Sequence, residues 1–469
     1  MQRLSAREKY SYGIGAYGKD IACGVVYTFL MIYFTDVVGL NPTFVGTLFL
    51  VARMWDAIND PVMGMIVDNT RSKFGKFRPW IFIGTILNSV VLVFLFRKPE
   101  LEGAQLYIYY SVMYILWGMT YTVMDIPYWS MIPTLATTKE DRENISVIPR
   151  IFASLGSLSV TTFGLMLVNK FGNGNQLKGF EYLALSIVVI FIISTIITCM
   201  NVKEKTEVNN EKINIKQAFK VIRNNDQLLV FIGIVLMFNL AMQLSGGIAI
   251  YYFKYVAGKE SLFAVYSFFQ VAEIGGLMLF PILTRKIGRQ NIFKVASILP
   301  IVGLSTLLLS GLVAPQNILF IGISAILLKL GSGFLLGSTT VMLADIVDYG
   351  EYKLGSRNES IIFSAQTLLV KSASALSGWL IGVGLSVVGY VAGASVQSST
   401  TIMGIRVMMT VIPSVVAVVM YIIYKSKYKI NGAFHDELLQ ALAAKRGEEK
   451  INTNEDEKVL EDSINPSLI

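Results

Sequence analysis

Long apolar runs, separated by short polar turns, recur along the whole chain. They lie near residues 12–34 and 43–67, from about 80, near 105–126, from about 149, in a sixth run that ends near 200, and near 227–255, 261–283, 291–313, 316–345, 358–388 and 401–425. A helix needs about 20 mostly apolar residues to cross the hydrocarbon layer, so the pattern predicts about twelve spanning helices. One stretch breaks the rhythm. Residues 201–226 are hydrophilic and carry Lys203, Lys205, Lys212, Lys216, Lys220 and Arg223. They divide the apolar runs into two sets of six. The expected fold is all-α and embedded in a membrane, with bundles at 1–200 and 227–425, a middle loop at 201–226 and a polar tail at 426–469.

Basic residues gather in alternate loops: Arg71, Lys73, Lys76 and Arg78; Lys139 and Arg142; Arg285, Lys286 and Arg289; Lys353 and Arg357. By the positive-inside rule these loops, the middle loop and both termini face the cytoplasm, which makes this a multi-pass protein of the cytoplasmic (inner) membrane. TRSKFGKFR and TRKIGRQ, at the ends of the second and eighth runs, resemble each other weakly. Such symmetry points to two halves with a site between them at mid-membrane.

Of the 469 residues 54% are hydrophobic and 15% charged, with mean hydropathy +0.57; soluble domains carry about 25% charged residues. The net charge of +8 comes with no nucleic-acid motif, so no nucleic-acid partner is expected. Cys23 and Cys199 both lie in apolar runs, and His435 is the only histidine. That excludes most zinc, haem and Ser-His schemes. No catalytic constellation is visible, so neither an enzyme nor a cofactor is expected. The first apolar run is long and lacks a small-residue cleavage pattern, and it reads as a helix that stays.

Against this background the polar residues inside apolar runs stand out. Asp56, Asn59 and Asp60 in MWDAINDP are spaced i, i+3, i+4 and share one stripe of a helix. An Asp at the centre of a spanning helix costs about 2.5 to 3.5 kcal/mol even on the lower scales, and such residues mark ion or substrate paths. A hard cation, Na⁺, Li⁺ or H⁺, suits these oxygens. The structural alternative is a buried ion pair with Arg53. Lys19 and Asp20 are neighbours and point about 100° apart on a helix, so Asp20 is free to accept sugar hydroxyls while Lys19 neutralises an acid opposite. Asp125 with Trp129 also suits a sugar, since a carboxylate accepts hydroxyls in strong bonds and an indole covers an apolar ring face. The alternative for Trp129 is an interfacial anchor. Arg150 and Lys371 supply charge balance, and a bound cation could enter by replacing an internal ion pair. Asp345, Asp348 and Glu351, with Arg142, Arg289 and Arg357 in other loops, are expected either to form a cytoplasmic gate or to remain solvated surface pairs. Glu273 and Lys329 should share a depth and are expected to pair as a structural bridge, with Glu273 as a proton carrier the competing reading.

KYSYGIGAYGKD, YFTDVVGL, VGTLFLVARMWDAINDP, GKFRPWI, ILWGMTYTVMDIPYWS and VDYGEYK resemble the melibiose permease branch of the glycoside-pentoside-hexuronide:cation symporters, within the major facilitator fold. The resemblance runs from about Tyr10 to Ile430 and is strongest in the first half. It implies a cation site of Asp56, Asn59, Asp60 and Thr122. It also implies sugar contacts at Lys19, Asp20, Tyr121, Asp125, Trp129 and Arg150, with QTLLVK adding Gln366, Thr367 and Lys371. Leu336 stands where such permeases can carry a tryptophan, and Glu273 and Lys329 stand at positions expected to be neutral. The expected function is import of a galactoside, melibiose first, coupled to Na⁺, Li⁺ or H⁺. The alternatives are another glycoside, a pentoside or a hexuronide as cargo, or a sugar sensor that does not transport. The expected partners are the sugar, a monovalent cation and the bilayer, with the cytoplasmic loops and tail open to a regulatory protein.

Overall fold

The computed structural model describes residues 4–135, 139–204, 221–355, 359–432, 434–442 and 444. Twelve long helical segments account for most of them. In chain order these are α1 (Ala6–Val38), α2 (Pro42–Asp68), α3 (Arg78–Leu95), α4 (Gly103–Ser130), α5 (Lys139–Gly172), α6 (Gln176–Asn201), α7 (Asp226–Val256), α8 (Leu262–Ile287), α9 (Arg289–Val313), α10 (Ile318–Leu354), α11 (Glu359–Val387) and α12 (Ser399–Lys427). There are no strands among the described residues. Side chains cap many of the starts: Ser5, Asn41, Asn175, Asn225, Asn317 and Ser398 each accept from a backbone N–H of the first turn, satisfying donors that a helix start leaves free.

Among the described residues ten of these segments are long and apolar enough to cross a membrane. The other two are α2 and α4, of 27 and 28 residues. Both carry polar or tyrosyl residues along their length, and both hold expected site residues. Large apolar side chains such as Ile108, Ile193, Leu309 and Val415 remain exposed, which suits a surface solvated by lipid. The helices run past several expected ends. α10 continues to Leu354, nine residues beyond its apolar run, and α5 begins at Lys139. The start of the tail, expected to be a polar segment outside the bilayer, packs against the last six helices: Tyr428, Ile430, Leu438 and Leu442 are buried.

The first six helices pack mainly on one another, with α1 against α5 and α6 and α3 against α4; the last six do likewise, with α9 against α10 and α7 against α11 and α12. The main contact between the sets is α2 on α11. Glycines make it possible. A Cβ on Gly382 would lie 2.3 Å from the Pro42 carbonyl oxygen, and one on Gly46 would lie 3.0 Å from that of Gly378. Small residues let helix backbones approach this closely.

α1 and α7 end alike. Tyr33–Val38 and Tyr252–Val256 are single π-helical turns, followed by Gly39 and Gly258 at φ 92° and 67°. Their sequences, YFTDVVG and YFKYVAG, align without a gap. First and seventh helices are equivalent positions in two six-helix halves, so this is a second internal echo.

Candidate functional site

Lys19, on α1, is buried with its ammonium 2.9 Å from Asp20 and 2.8 Å from Asp125 of α4. It also donates to the Tyr121 hydroxyl at 3.3 Å and lies 4.9 Å from the centre of the Trp129 ring. Lys19 thus neutralises an acid on a facing helix, as expected, and its long stem also bends back to its own neighbour Asp20. Both carboxylates stay about a quarter exposed, at 26% and 24%, so each keeps oxygen surface for another partner. The face of Trp129 meets the Lys19 cation, a cation–π contact.

On α2, Arg53 pairs with Asp56 at 2.9 Å and lies over the Tyr27 ring at 4.8 Å. Asp60 accepts from Thr122 of α4 at 2.9 Å and forms an ion pair with Lys371 of α11. Each acid thus has its own base, a Lys371 partnership that sequence alone did not assign. The Asn59 side-chain nitrogen is buried and, among the described residues, has no hydrogen-bond partner. Asp60 and Thr122 are joined, Asp56 and Asn59 stand beside Asp60 on α2, and Lys371 joins Asp60 rather than the Lys19 cluster.

A cavity of about 530 Å³ lies between the two sets of helices, lined on one side by Tyr27, Arg53 and Tyr114 and on the other by Gln243, Gln270, Glu273, Lys329 and Lys371. Glu273 and Lys329 do share this depth, but among the described residues they form no ion pair. Glu273 accepts from Ser332 at 3.0 Å instead. Depth along a helix does not fix the direction a side chain takes around it.

Beyond the cavity the α1 and α7 ends close against each other. Asp36 is almost fully buried and takes Lys254 and Tyr255, each at 2.5 Å, and the Tyr390 hydroxyl. Thr35 and Tyr251 share a hydrogen bond at 2.8 Å, and Thr43 donates to Ser386 at 2.7 Å. Glu260, just past α7, is pushed above the usual carboxylate range by burial, with Lys254 pulling it down. This seal had no counterpart in the sequence reading. Its signal was an Asp in one YF turn and a Lys in the other, at neighbouring places of the shared pattern.

At the other end Asp345 of α10 pairs with Arg289 of α9 at 3.2 Å and with His435 at 3.3 Å, and accepts from Tyr428 at 3.4 Å. All four residues belong to the last six helices and the tail. The residues expected to form a cytoplasmic gate are, as far as described, a brace within one half. Asp348 is half-buried on α10; Arg357 and the side chains of Arg142 and Thr367 lie outside the described residues. Gln366 is half-buried on α11 and Arg150 is exposed on α5; neither joins the Lys19 cluster through an ion pair or hydrogen bond among the described residues.

Twelve helices in two sets, a cavity between them and ionised residues lining it define a membrane transporter. The chain belongs to the MFS/sugar transport protein family, whose model matches residues 11–432. It is 30% identical over 452 residues to the uncharacterized symporter YjmB of Bacillus subtilis, covering 95% of this chain and 96% of that one. It is 32% identical over 389 residues to the isoprimeverose transporter of Lactiplantibacillus pentosus, covering 82% and 81%. Its fold matches that of a bacterial homologue of the human lysosomal transporter Spinster, solved inward-facing and unoccupied, with TM-score 0.68 at 14% identity over 92% of this chain and 99% of that one. The resemblance read from the sequence thus holds at the level of a sugar transport family, and the protein is a transporter rather than an enzyme.

Proposed function

We propose that the chain is a secondary symporter that imports a glycoside, a galactoside such as melibiose in the first instance, with Na⁺, Li⁺ or H⁺. One observation carries the reading: two acids inside a spanning helix are neutralised by internal bases, one of them borrowed from the other half. A monovalent cation with oxygen ligands suits Asp56, Asn59, Asp60 and Thr122. It would take over the charge-balancing duty of Lys371. Because Lys371 sits on α11 and Asp60 on α2, the exchange would loosen one tie between halves and link ion binding to their movement. By reciprocity, whatever the cation adds to sugar affinity the sugar adds to cation affinity.

Asp20 and Asp125 are the hydroxyl acceptors in this reading, with Lys19, Tyr121 and Trp129 around them. Arg150, Gln366 and Thr367 enter the sugar site only through the family resemblance. Residues 1–200 and 227–425 act as two bundles that rock about the midplane site. The basic loops and both termini face the cytoplasm, so the Asp36 seal is extracellular and the present state is closed to the outside. The isoprimeverose relative makes another glycoside the second reading.

Uptake of radiolabelled melibiose and isoprimeverose into membrane vesicles tests this, with Na⁺, Li⁺ or H⁺ gradients imposed one at a time. Accumulation driven by one of the ions is the expected result. Asp56→Cys should abolish it while sparing sugar binding; unchanged accumulation in that variant would remove the cation role.

A further inference from the structure

The cavity wall from the last six helices holds a carboxylate and an ammonium that the family site does not explain. Glu273 on α8 and Lys329 on α10 both line it. Each is half-buried, and among the described residues neither has an ion-pair partner; Glu273 has only the Ser332 hydroxyl at 3.0 Å. Opposite charges in a low-dielectric cavity attract strongly and are costly to desolvate singly. Held apart at a shared depth, they favour a polar ligand that reaches both. Gln243 and Gln270 line the same wall and add neutral donors and acceptors.

The wall also has the right relation to the Lys19 cluster. Tyr114, at the cavity, stacks on Trp117, which stacks on Tyr121, and Tyr121 accepts from Lys19. Seven residues of helix separate Tyr114 from Tyr121, about 10 Å of axial rise. That stack is core packing, Trp117 being 1% exposed; the open route for a ligand engaged at Asp20 and Asp125 is along α1, where Val26 and Tyr27 line the cavity six and seven residues from Asp20, about 10 Å of axial rise.

We infer that Glu273 and Lys329 form a subsite for the second, hydroxyl-bearing ring of a glycoside, Glu273 accepting from its hydroxyls and Lys329 donating to them. The inference rests on the glycoside reading above and assigns the ring selectivity of the carrier to the second half. A site built to bond ligand hydroxyls discriminates strongly, since a ligand lacking them leaves charged groups unpaired.

The test uses full-length protein in vesicles, comparing Glu273→Gln, Lys329→Gln and the double variant with wild type. Half-saturation is measured for a disaccharide that the wild type accumulates and for the monosaccharide of its first ring. Each single variant should raise the disaccharide value about tenfold or more, the loss expected for a charged hydrogen bond, and leave the monosaccharide value within about twofold. Thermal melting of each purified variant reports folding separately, and Lys329→Arg should recover part of the disaccharide affinity. Equal losses for both sugars, or no loss for either, would overturn the subsite while leaving cation-driven uptake intact. Recovery of wild-type behaviour in the double variant would also overturn it, because that is the mark of a structural pair. Wild-type protein that accumulates no glycoside under any cation gradient would overturn the parent reading, and the subsite with it.

Discussion

The two ends of this molecule use the same chemistry for different ends. At one, a buried carboxylate, Asp36, collects Lys254, Tyr255 and Tyr390. At the other, the carboxylate of Asp345 collects Arg289, His435 and Tyr428. The first set joins α1 to α7 and to the segment after α11, across the halves. The second stays within α9, α10 and the tail. Acid, base and phenol are alike in both, so what separates a latch from a brace is which helices supply the partners. Only a bond between parts that move apart can respond to transport.

The contrast can be broken from several sides. The largest effect is expected at the deepest tie across the halves. Asp60→Asn removes both the partner of Lys371 and a proposed cation ligand; coupling energies of this kind are worth about 5- to 150-fold. Accumulation under a cation gradient should therefore collapse while equilibrium sugar binding persists, as read by paired uptake and binding assays. Next comes Asp36→Asn. Removing one partner of a buried pair costs about 3 to 5 kcal/mol, here only in the closed arrangement. A cysteine placed at Thr35 should become markedly more reactive toward an impermeant thiol reagent from outside, and the charge swap Asp36→Lys with Lys254→Asp should restore part of the protection.

A smaller shift in the same direction is expected from Gly382→Val, which drives a side chain into the Pro42 carbonyl. Overpacking of this sort costs about 1 to 3 kcal/mol, and the same thiol assay reads it. Arg289→Gln should do least. Its guanidinium is 46% exposed, and a screened pair of that kind contributes about 1 kcal/mol or less. A slight fall in melting temperature with unchanged thiol reactivity is the expected outcome; altered reactivity would make the brace a latch after all.

Much of this was legible in the sequence because a membrane helix has few places for a charge. The apolar runs marked the helices, and the polar exceptions on α1, α2 and α4 marked a cluster that the fold does assemble. What could not be read is direction and reach. Lys19 and Asp20 diverge on a helical wheel, yet a four-carbon stem brings the ammonium to both acids. Glu273 and Lys329 share a depth but not a bond. Lys371 is one of several basic residues in apolar runs, and only the packing of α2 on α11, backbone to backbone on glycine, selects Asp60 as its partner. Asp36 escaped notice because it sits at the fringe of an apolar run, where a carboxylate ordinarily meets water. The acid lies within the π turn that ends α1, where Lys254, Tyr255 and Tyr390 enclose it.

Those matched turns carry a consequence of their own. Surfaces related by a two-fold axis and meeting face to face are how homodimers close on themselves, each copy presenting the patch its mate receives. A chain that holds both copies is released from that identity: YFTDVVG was free to acquire the anion while YFKYVAG acquired the cation and the phenol. A lid that two identical protomers would have to build with acid and base together on every copy is here divided, the acid on one turn and the base and phenol on the other.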